Sequence, residues 1–264
     1  MVSRSTLVVA VVACVLLAGC SGLVGNGGGD GTPEPEGTPV PEDPSEFDYA
    51  DGFGSDGITD GQQAVESYDS AIQSQGNYTG EYQYTIDTQD GETLVEGDYR
   101  VDFENEQALR TVAVETDSAN GTSETYYGDG KQYNRSSYNG QYGDVATSNQ
   151  TFPASELTAS EAVEPFLLNA SQYDASVEQR DGETVVVYES SDITGAGSFL
   201  GVDSAENVSS FNASFVVDSE GLIHAAEYEI TYTVDGNERA VDMSFELSSL
   251  GETSVERPSW VDSS

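Results

Sequence analysis

Cysteine is nearly missing from this chain: Cys14 and Cys20 are the two, both within the first twenty residues. Everything after them folds without a disulfide, a thiolate nucleophile or a thiolate metal ligand, so packing alone must hold it. Histidine occurs once, as His224, and tryptophan once, as Trp260. With no G-x-S-x-G elbow and no second His or Cys, a nucleophilic triad or a zinc site lacks parts. A lone His beside an apolar face reads as a packed or hydrogen-bonded side chain, and Trp260 as the residue that packs the final segment against the rest. Gly195-Ala196-Gly197-Ser198 lacks the strand and helix register of a dinucleotide loop. Positive charge is the third scarcity. Eight Lys and Arg, with Lys131 the only lysine, oppose 48 Asp and Glu, for a formal net charge of −40. Such a surface repels phosphates and anionic headgroups, which excludes nucleic acid as a partner while leaving divalent cations open. On a surface this acidic, carboxylate pairs carry no information about glycosidase chemistry. The cluster Asp51, Asp56 and Asp60 does not match the spacing of an EF-hand and reads as solvated surface. No catalytic residue, cofactor or metal is expected.

A charge of this size on one domain pushes the compact state apart in dilute buffer. At molar salt the Debye length shrinks to about 3 Å and the repulsion is nearly gone. The composition therefore resembles that of proteins from extreme halophiles, above all haloarchaea. Disorder is the competing reading of a high net charge. Fifteen Tyr, nine Phe and many Val, recurring at strand spacing, argue for a packed domain instead.

Long hydrophobic runs are also scarce. The one present, Leu7 to Leu16, follows Arg4 and is too short to span a bilayer comfortably. It leads into Leu17-Ala18-Gly19-Cys20, which resembles the lipobox of prokaryotic lipoproteins. That resemblance implies cleavage before Cys20 and lipid attachment to its thiol, hence an anchor on the extracytoplasmic face of the cell membrane. Residues 21–46 are mostly Gly, Pro, Glu, Asp, Ser and Thr, with no periodic apolar face. They read as a flexible tether, which leaves residues 47–264 as the folded domain.

Within that domain, Ala64, Val65, Tyr68, Ala71 and Ile72 fall at helical spacing, with Thr59 or Asp60 to cap the start and Gly76 to end it. Strands follow. Tyr78, Gly80, Tyr82, Tyr84 and Ile86 alternate with polar residues, as do Val95, Gly97, Tyr99, Val101 and Phe103. Ala108 to Thr116 is a strand of ambiguous facing, because Val112 and Val114 share parity with Arg110. Asp-Gly pairs at 90–91, 129–130, 181–182 and 235–236 predict hairpin turns between alternating runs. A polar stretch from Ser137 to Thr158 reads as a long loop. Thr158-Ala159-Ser160-Glu161 has the form of a capping box opening a second helix, with Pro165 in its early turns. A second meander ends in three strongly alternating strands around Phe215, Tyr228–Tyr232 and Met243–Leu247. The fold class is α+β: a curved antiparallel sheet of about ten strands, a half-barrel, covered on its apolar face by two or three helices.

That element order resembles the half-barrel lipoprotein carriers, the lipoprotein localisation factors LolA and LolB and the mycobacterial lipoproteins of the LppX and LprG type. Two stretches, Tyr127-Gly128-Asp129-Gly130-Lys131-Gln132-Tyr133-Asn134-Arg135 and Arg257-Pro258-Ser259-Trp260, resemble a group of haloarchaeal lipoproteins. The resemblance implies a cavity between sheet and helices that shields acyl chains. Its lining would come from Tyr82, Tyr84, Val101, Phe103, Phe166, Phe215, Tyr228, Ile230, Tyr232 and Phe245. Seven of the asparagines stand in Asn-x-Ser/Thr, at Asn77, Asn120, Asn134, Asn149, Asn169, Asn207 and Asn212, as exported glycosylation would require, although richness in Ser and Thr accounts for part of the excess. Two readings follow: a non-enzymatic, lipid-anchored protein that holds an apolar ligand such as a lipid or isoprenoid, or a glycosylated envelope protein with a solid core. A lining able to take an acyl chain separates them.

Overall fold

A computed structural model describes residues 43–88, 91–169, 173–180, 182–192, 208–234 and 236–263. Cys20, Asn207, the Gly195–Ser198 segment and almost all of the tether expected at 21–46 lie outside them.

After a short 3-10 turn at Pro44–Glu46, the chain makes a two-stranded hairpin, β1 (Phe53–Gly54) and β2 (Gly57–Ile58), then helix α1 (Gly61–Ser74). Asp60 caps α1 by accepting from the N–H groups of Gln62 and Gln63 at 3.1 and 3.2 Å, two of the donors a helix start leaves unpaired. Gly52 makes this entry possible. It has φ of +89°, and a Cβ there would stand 2.2 Å from the Ala64 nitrogen. The buried face of α1 is Ala64, Val65, Tyr68, Ala71 and Ile72, as its spacing predicts.

The first meander comprises β3 (Asn77–Thr88), β4 (Gly91–Asp102), β5 (Gln107–Thr116), β6 (Asn120–Gly128) and β7 (Lys131–Tyr138). Two short strands, β8 (Gln141–Tyr142) and β9 (Ala146–Asn149), both pair with β7. They lie where the sequence predicts a loop. All six of their residues are exposed, so no core facing has imprinted an alternation on them. Helix α2 (Ser160–Asn169) then leads to β10 (Asp174–Arg180), β11 (Glu183–Ser190), β12 (Val208–Val217), β13 (Ile223–Val234) and β14 (Asn237–Ser248).

Both meanders belong to one antiparallel sheet. Its order is β10-β11-β12-β13-β14-β3-β4-β5-β6-β7-β8, so the last strand of the chain docks on the first long one. The seam is apolar on its inner side, where Val241 faces Ile86, Met243 faces Tyr84, Phe245 faces Tyr82 and Leu247 faces Gly80. The result is an open, curved sheet of twelve strands with two α-helices, a half-barrel of the α+β class, against about ten strands read from periodicity.

The helices lie on the inner face. Phe166 of α2 packs 6.0 Å from Phe215 and 5.7 Å from Tyr228, ring centre to ring centre. Buried tyrosines peg the helical layer by their hydroxyls. Tyr68 donates to the Thr158 carbonyl at 2.9 Å, Tyr78 to that of Leu157 at 2.7 Å, and Tyr173 to that of Phe166 at 3.2 Å. These bonds tie α1, the sheet and the chain beyond α2 to backbone carbonyls just before the helix and in its last turn. The capping-box expectation is only partly met. Helix α2 does begin at Ser160 with Pro165 inside it, but Glu161 reaches across to Arg110 of β5 at 3.2 Å.

The outer face carries a second, smaller core. Tyr126 and Tyr133 from the β6–β7 hairpin bury against Val255, Trp260 and Val261 of the C-terminal segment. Arg135 makes a two-pronged pair with Glu124, at 2.6 and 3.0 Å, and lies over the rings of Tyr142 at 4.2 Å and Trp260 at 4.7 Å. Arg257 bonds Asp129 at 2.8 Å and Asp262 at 3.1 Å while lying over the Tyr133 ring. The two stretches that stand out in the sequence, 127–135 and 257–260, thus meet as one clasp that straps the tail to the sheet.

Two predictions follow from this packing. Trp260→Ala empties the clasp and should lower unfolding free energy by about 3 kcal/mol in a denaturant titration, with Arg257→Ala costing less. The second concerns Asp242, whose carboxyl pKa is raised by partial burial and by the neighbouring Glu229, Asp87 and Glu92. A carboxyl with a raised folded pKa binds its proton more tightly in the folded state, so folding loses stability as pH rises through that value. The cost is absent below the ordinary 3.8 and full above the raised value. Asp242→Asn should therefore stabilise the domain at neutral pH, with the part owed to Glu229, Asp87 and Glu92 screened away in concentrated salt, the part owed to burial persisting there, and the whole gain vanishing at low pH.

Candidate ligand-binding face

The register of β3 to β6 lines up the inner-face residues in rows. One row runs Met243, Tyr84, Val95, Val114 and Gly121; the next runs Phe245, Tyr82, Gly97, Val112 and Ser123. A third runs Leu247, Gly80, Tyr99, Arg110 and Thr125. Nearest the helical layer the side chains are sealed: Tyr78, Tyr99, Val101 and Ala108 are all at most 2 % exposed. Further along the same strands the cover thins. Tyr82, Tyr84, Ile86, Val95 and Val112 are half-buried, and Val114 is 38 % exposed.

Gly97 gives this patch its floor. A Cβ there would fall 2.0 Å from the Tyr82 ring, so the tyrosine lies flat across the glycine. Tyr82 in turn stands edge-on to Tyr84, centres 5.8 Å apart, and 5.9 Å from Tyr99. The face therefore combines two half-buried phenol rings, backed by the sealed Tyr99, with aliphatic Ile86, Val95, Val112 and Val114.

Arg110 borders it. Its guanidinium lies 5.0 Å over the Tyr99 ring and pairs with Glu161 at 3.2 Å, while its Nε is buried without a hydrogen-bond partner. Burial pushes the Tyr84 phenol pKa up, with Tyr82 and Glu161 adding to it. The phenol stays neutral, a hydrogen-bond donor at the edge of an apolar surface. Such a face can take an aliphatic or ring-bearing ligand by burial and orient a polar end by Arg110 and phenol hydroxyls.

The ten expected lining residues divide. Val101, Phe166, Phe215, Tyr228, Ile230 and Phe245 are at most 4 % exposed and fill the core. Tyr82 and Tyr84 lie on the patch, and Tyr84 touches the core through Tyr228, 6.5 Å away. Phe103 lies near the opposite end of its hairpin, stacked on Tyr78 and edge-on to Phe152. Tyr232 is half-buried near the end of β13, opposite Val208 and Arg239. Ile86, Val95, Arg110, Val112 and Val114 belong to the face and are missing from the expected set. Ile86 and Val95 share the apolar parity that the sequence shows for β3 and β4, whereas the parity that Val112 and Val114 share with Arg110 makes the facing of β5 ambiguous from sequence.

The sequons are placed variously. Asn120, Asn149 and Asn212 are exposed. Asn77 accepts from the Thr253 N–H at 2.6 Å and Asn134 from the Thr125 hydroxyl at 2.7 Å, so both side chains are engaged within the fold. Asn169 ends α2. Of the acidic cluster, Asp51 and Asp56 are exposed and Asp60 is the α1 cap. His224 is hydrogen-bonded to Asp218, and Trp260 packs the tail on the sheet. Among the described residues no helix is long and apolar enough to cross a membrane.

Comparison with known proteins places the chain in a family. The model described as "Family of unknown function (DUF7537)" matches residues 5–264, and the chain belongs to that family. No curated protein matches. Among solved structures the chain is similar to LprF from Mycobacterium bovis, with 11 % identity, 75 % of this chain and 96 % of that one covered, and a TM-score of 0.36. It is similar also to the lipoprotein LppX of Mycobacterium tuberculosis, at 13 % identity, 73 % and 95 % coverage and a TM-score of 0.32. A LolA superfamily protein from Nitrosomonas europaea follows at 10 % identity, 76 % and 96 % coverage and a TM-score of 0.25. Likenesses at this level carry nothing about what this chain binds.

Proposed function

We propose that this member of DUF7537 is a membrane-anchored, extracytoplasmic lipoprotein that binds an apolar ligand, a lipid or isoprenoid, on the inner face of its half-barrel. The observation that carries the reading is the run of half-buried apolar side chains on β3–β5, continuous with the core yet short of helical cover. Soluble domains seldom leave Tyr, Ile and Val side by side on a curved inner surface without an occupant. Lipid on Cys20 holds the protein at the membrane, glycans on exposed sequons face outward, and the acidic surface suits it to high salt. The role is binding or carriage, without catalysis.

The solid-core envelope protein is favoured by one observation: six of the ten expected lining residues are packed to completion. Whether a lipid occupies the patch around Tyr84 and Val112 separates the two.

The test is native mass spectrometry with lipid extraction on residues 43–264 purified in high salt. Stoichiometric lipid should co-purify with the wild type. Tyr84→Glu and Val112→Glu, at half-buried positions, should leave the fold intact by circular dichroism and cut the bound lipid at least about tenfold, since a carboxylate is costly to desolvate against an acyl chain. Charging Phe215 or Ile230 instead would unfold the core and teach nothing about binding. A folded wild type carrying no lipid would establish the solid-core reading.

A further inference from the structure

On the half of the sheet away from this face, the one histidine of the chain sits in a cluster that the strand order assembles from two hairpin ends. Strand β12 runs Val216, Val217 opposite Ala225 and Ile223, so His224 is the extra residue of a β-bulge. Bulges re-aim a side chain out of the ladder. His224 is aimed at Asp218, with Nε2 3.0 Å from Oδ2. Glu183, the first residue of β11, brings Oε2 to 4.0 Å from the same nitrogen. The three ligand-type atoms all lie within 4.8 Å of one another, and this is the one such group among the described residues.

The carboxylate of Asp218 is set in place before any ion arrives. It is 5 % exposed, and its Oδ1 accepts from the Glu220 N–H at 2.8 Å and the Leu222 N–H at 3.0 Å. Those bonds fix the group and leave Oδ2 for His224, an orientation that metal sites obtain from their supporting hydrogen bonds. Glu183 is the opposite case, with a side chain 56 % exposed and free to swing. Around a tetrahedral ion with bonds of about 2.0–2.2 Å to nitrogen and carboxylate oxygen, neighbouring ligand atoms stand about 3.3–3.6 Å apart. The 3.0 Å gap between His224 Nε2 and Asp218 Oδ2 opens by a few tenths of an ångström to reach that spacing, and Glu183, within 4.8 Å of both, closes the rest by a movement of about an ångström.

We propose that Glu183, Asp218 and His224 form a binding site for a first-row divalent transition metal ion, with Zn2+ the fitting occupant and a fourth position open to solvent. An imidazole with two carboxylates suits such an ion better than Mg2+ or Ca2+, which prefer oxygen alone. On binding, the ion takes the place of the Nε2 proton now shared with Asp218, and that proton leaves to solvent. The sequence argues against zinc for want of a second His or Cys. Here the two carboxylates supply what those residues would have.

The test is Zn2+ titration of the full chain, purified in detergent, followed by calorimetry and by the imidazole resonances of His224, which as the only histidine are unambiguous. The background is 48 acidic residues, so the titration is run with excess Mg2+ to occupy scattered carboxylates. One Zn2+ should bind per chain and shift the Nε2 resonance. His224→Ala and Glu183→Gln, each folded by circular dichroism, should weaken that binding at least about tenfold, the lower range seen even for groups behind the ligands. Asp218→Asn also touches the turn and is not needed. Zn2+ bound equally well by His224→Ala, or an Nε2 resonance unmoved at saturation, would reduce the cluster to a His–Asp hydrogen bond and overturn the proposal.

Discussion

The seam between β14 and β3 is the contact on which the structure depends. Each meander alone is a sheet with one apolar face and two open edges, a form that is exposed to edge-to-edge association. Pairing Val241 to Leu247 with Ile86 to Gly80 merges them into one curved surface with a single inner face. The core then spans the seam. Tyr84 of the first meander meets Tyr228 of the second, and Phe166 of α2 packs on both Phe215 and Tyr228. Without the seam there is no curved face to leave partly uncovered.

The scarcity of positive charge shapes how the few cations are used. Arg110 lies over Tyr99 beside the apolar patch, Arg135 over Tyr142 and Trp260, and Arg257 over Tyr133. Each also pairs with at least one carboxylate. A guanidinium can stack and donate at once, which a lysine ammonium does poorly, and this accounts for a clasp built on arginine. The exposed pairs of Arg257 contribute little each, whereas the two-pronged Arg135–Glu124 pair is partly buried. Their value is geometric: Arg257 and Arg135 set the course of the tail across the outer face, and the burial of Trp260, Val255 and Val261 supplies the stability.

Tyrosine is the other economy. Tyr68, Tyr78 and Tyr173 bury a large ring and use the hydroxyl to bond a carbonyl just before α2 or in its last turn. Burial keeps these phenols protonated, raising their pKa above the ordinary value. A phenylalanine in place of Tyr68 or Tyr78 would fill the same space and lose the hydrogen bond to the Thr158 or Leu157 carbonyl, at a cost of about 1–3 kcal/mol. Tyr82 and Tyr84 on the patch are only half-buried. One residue type thus seals the covered end of the inner face and dresses the uncovered end.

What the sequence determined by itself was local and periodic. The alternation of Tyr78–Ile86 and of Tyr228–Tyr232 specifies strands and their inner faces, Asp60 and the spacing of Ala64 to Ile72 specify α1, and the charge balance sets which partners are repelled. These follow from nearest neighbours along the chain, where periodicity 2 or 3.6 is visible. Strand order is not periodic, and only the tertiary structure decided it. The β14–β3 seam, the meeting of 127–135 with 257–260, and the convergence of Glu183, Asp218 and His224 all join residues whose mutual distance depends on non-local pairing. The same holds for the division of the apolar face. Phe215 and Tyr84 have the same pattern in the sequence, yet α2 covers one and leaves the other half open, because cover depends on where a helix comes to rest.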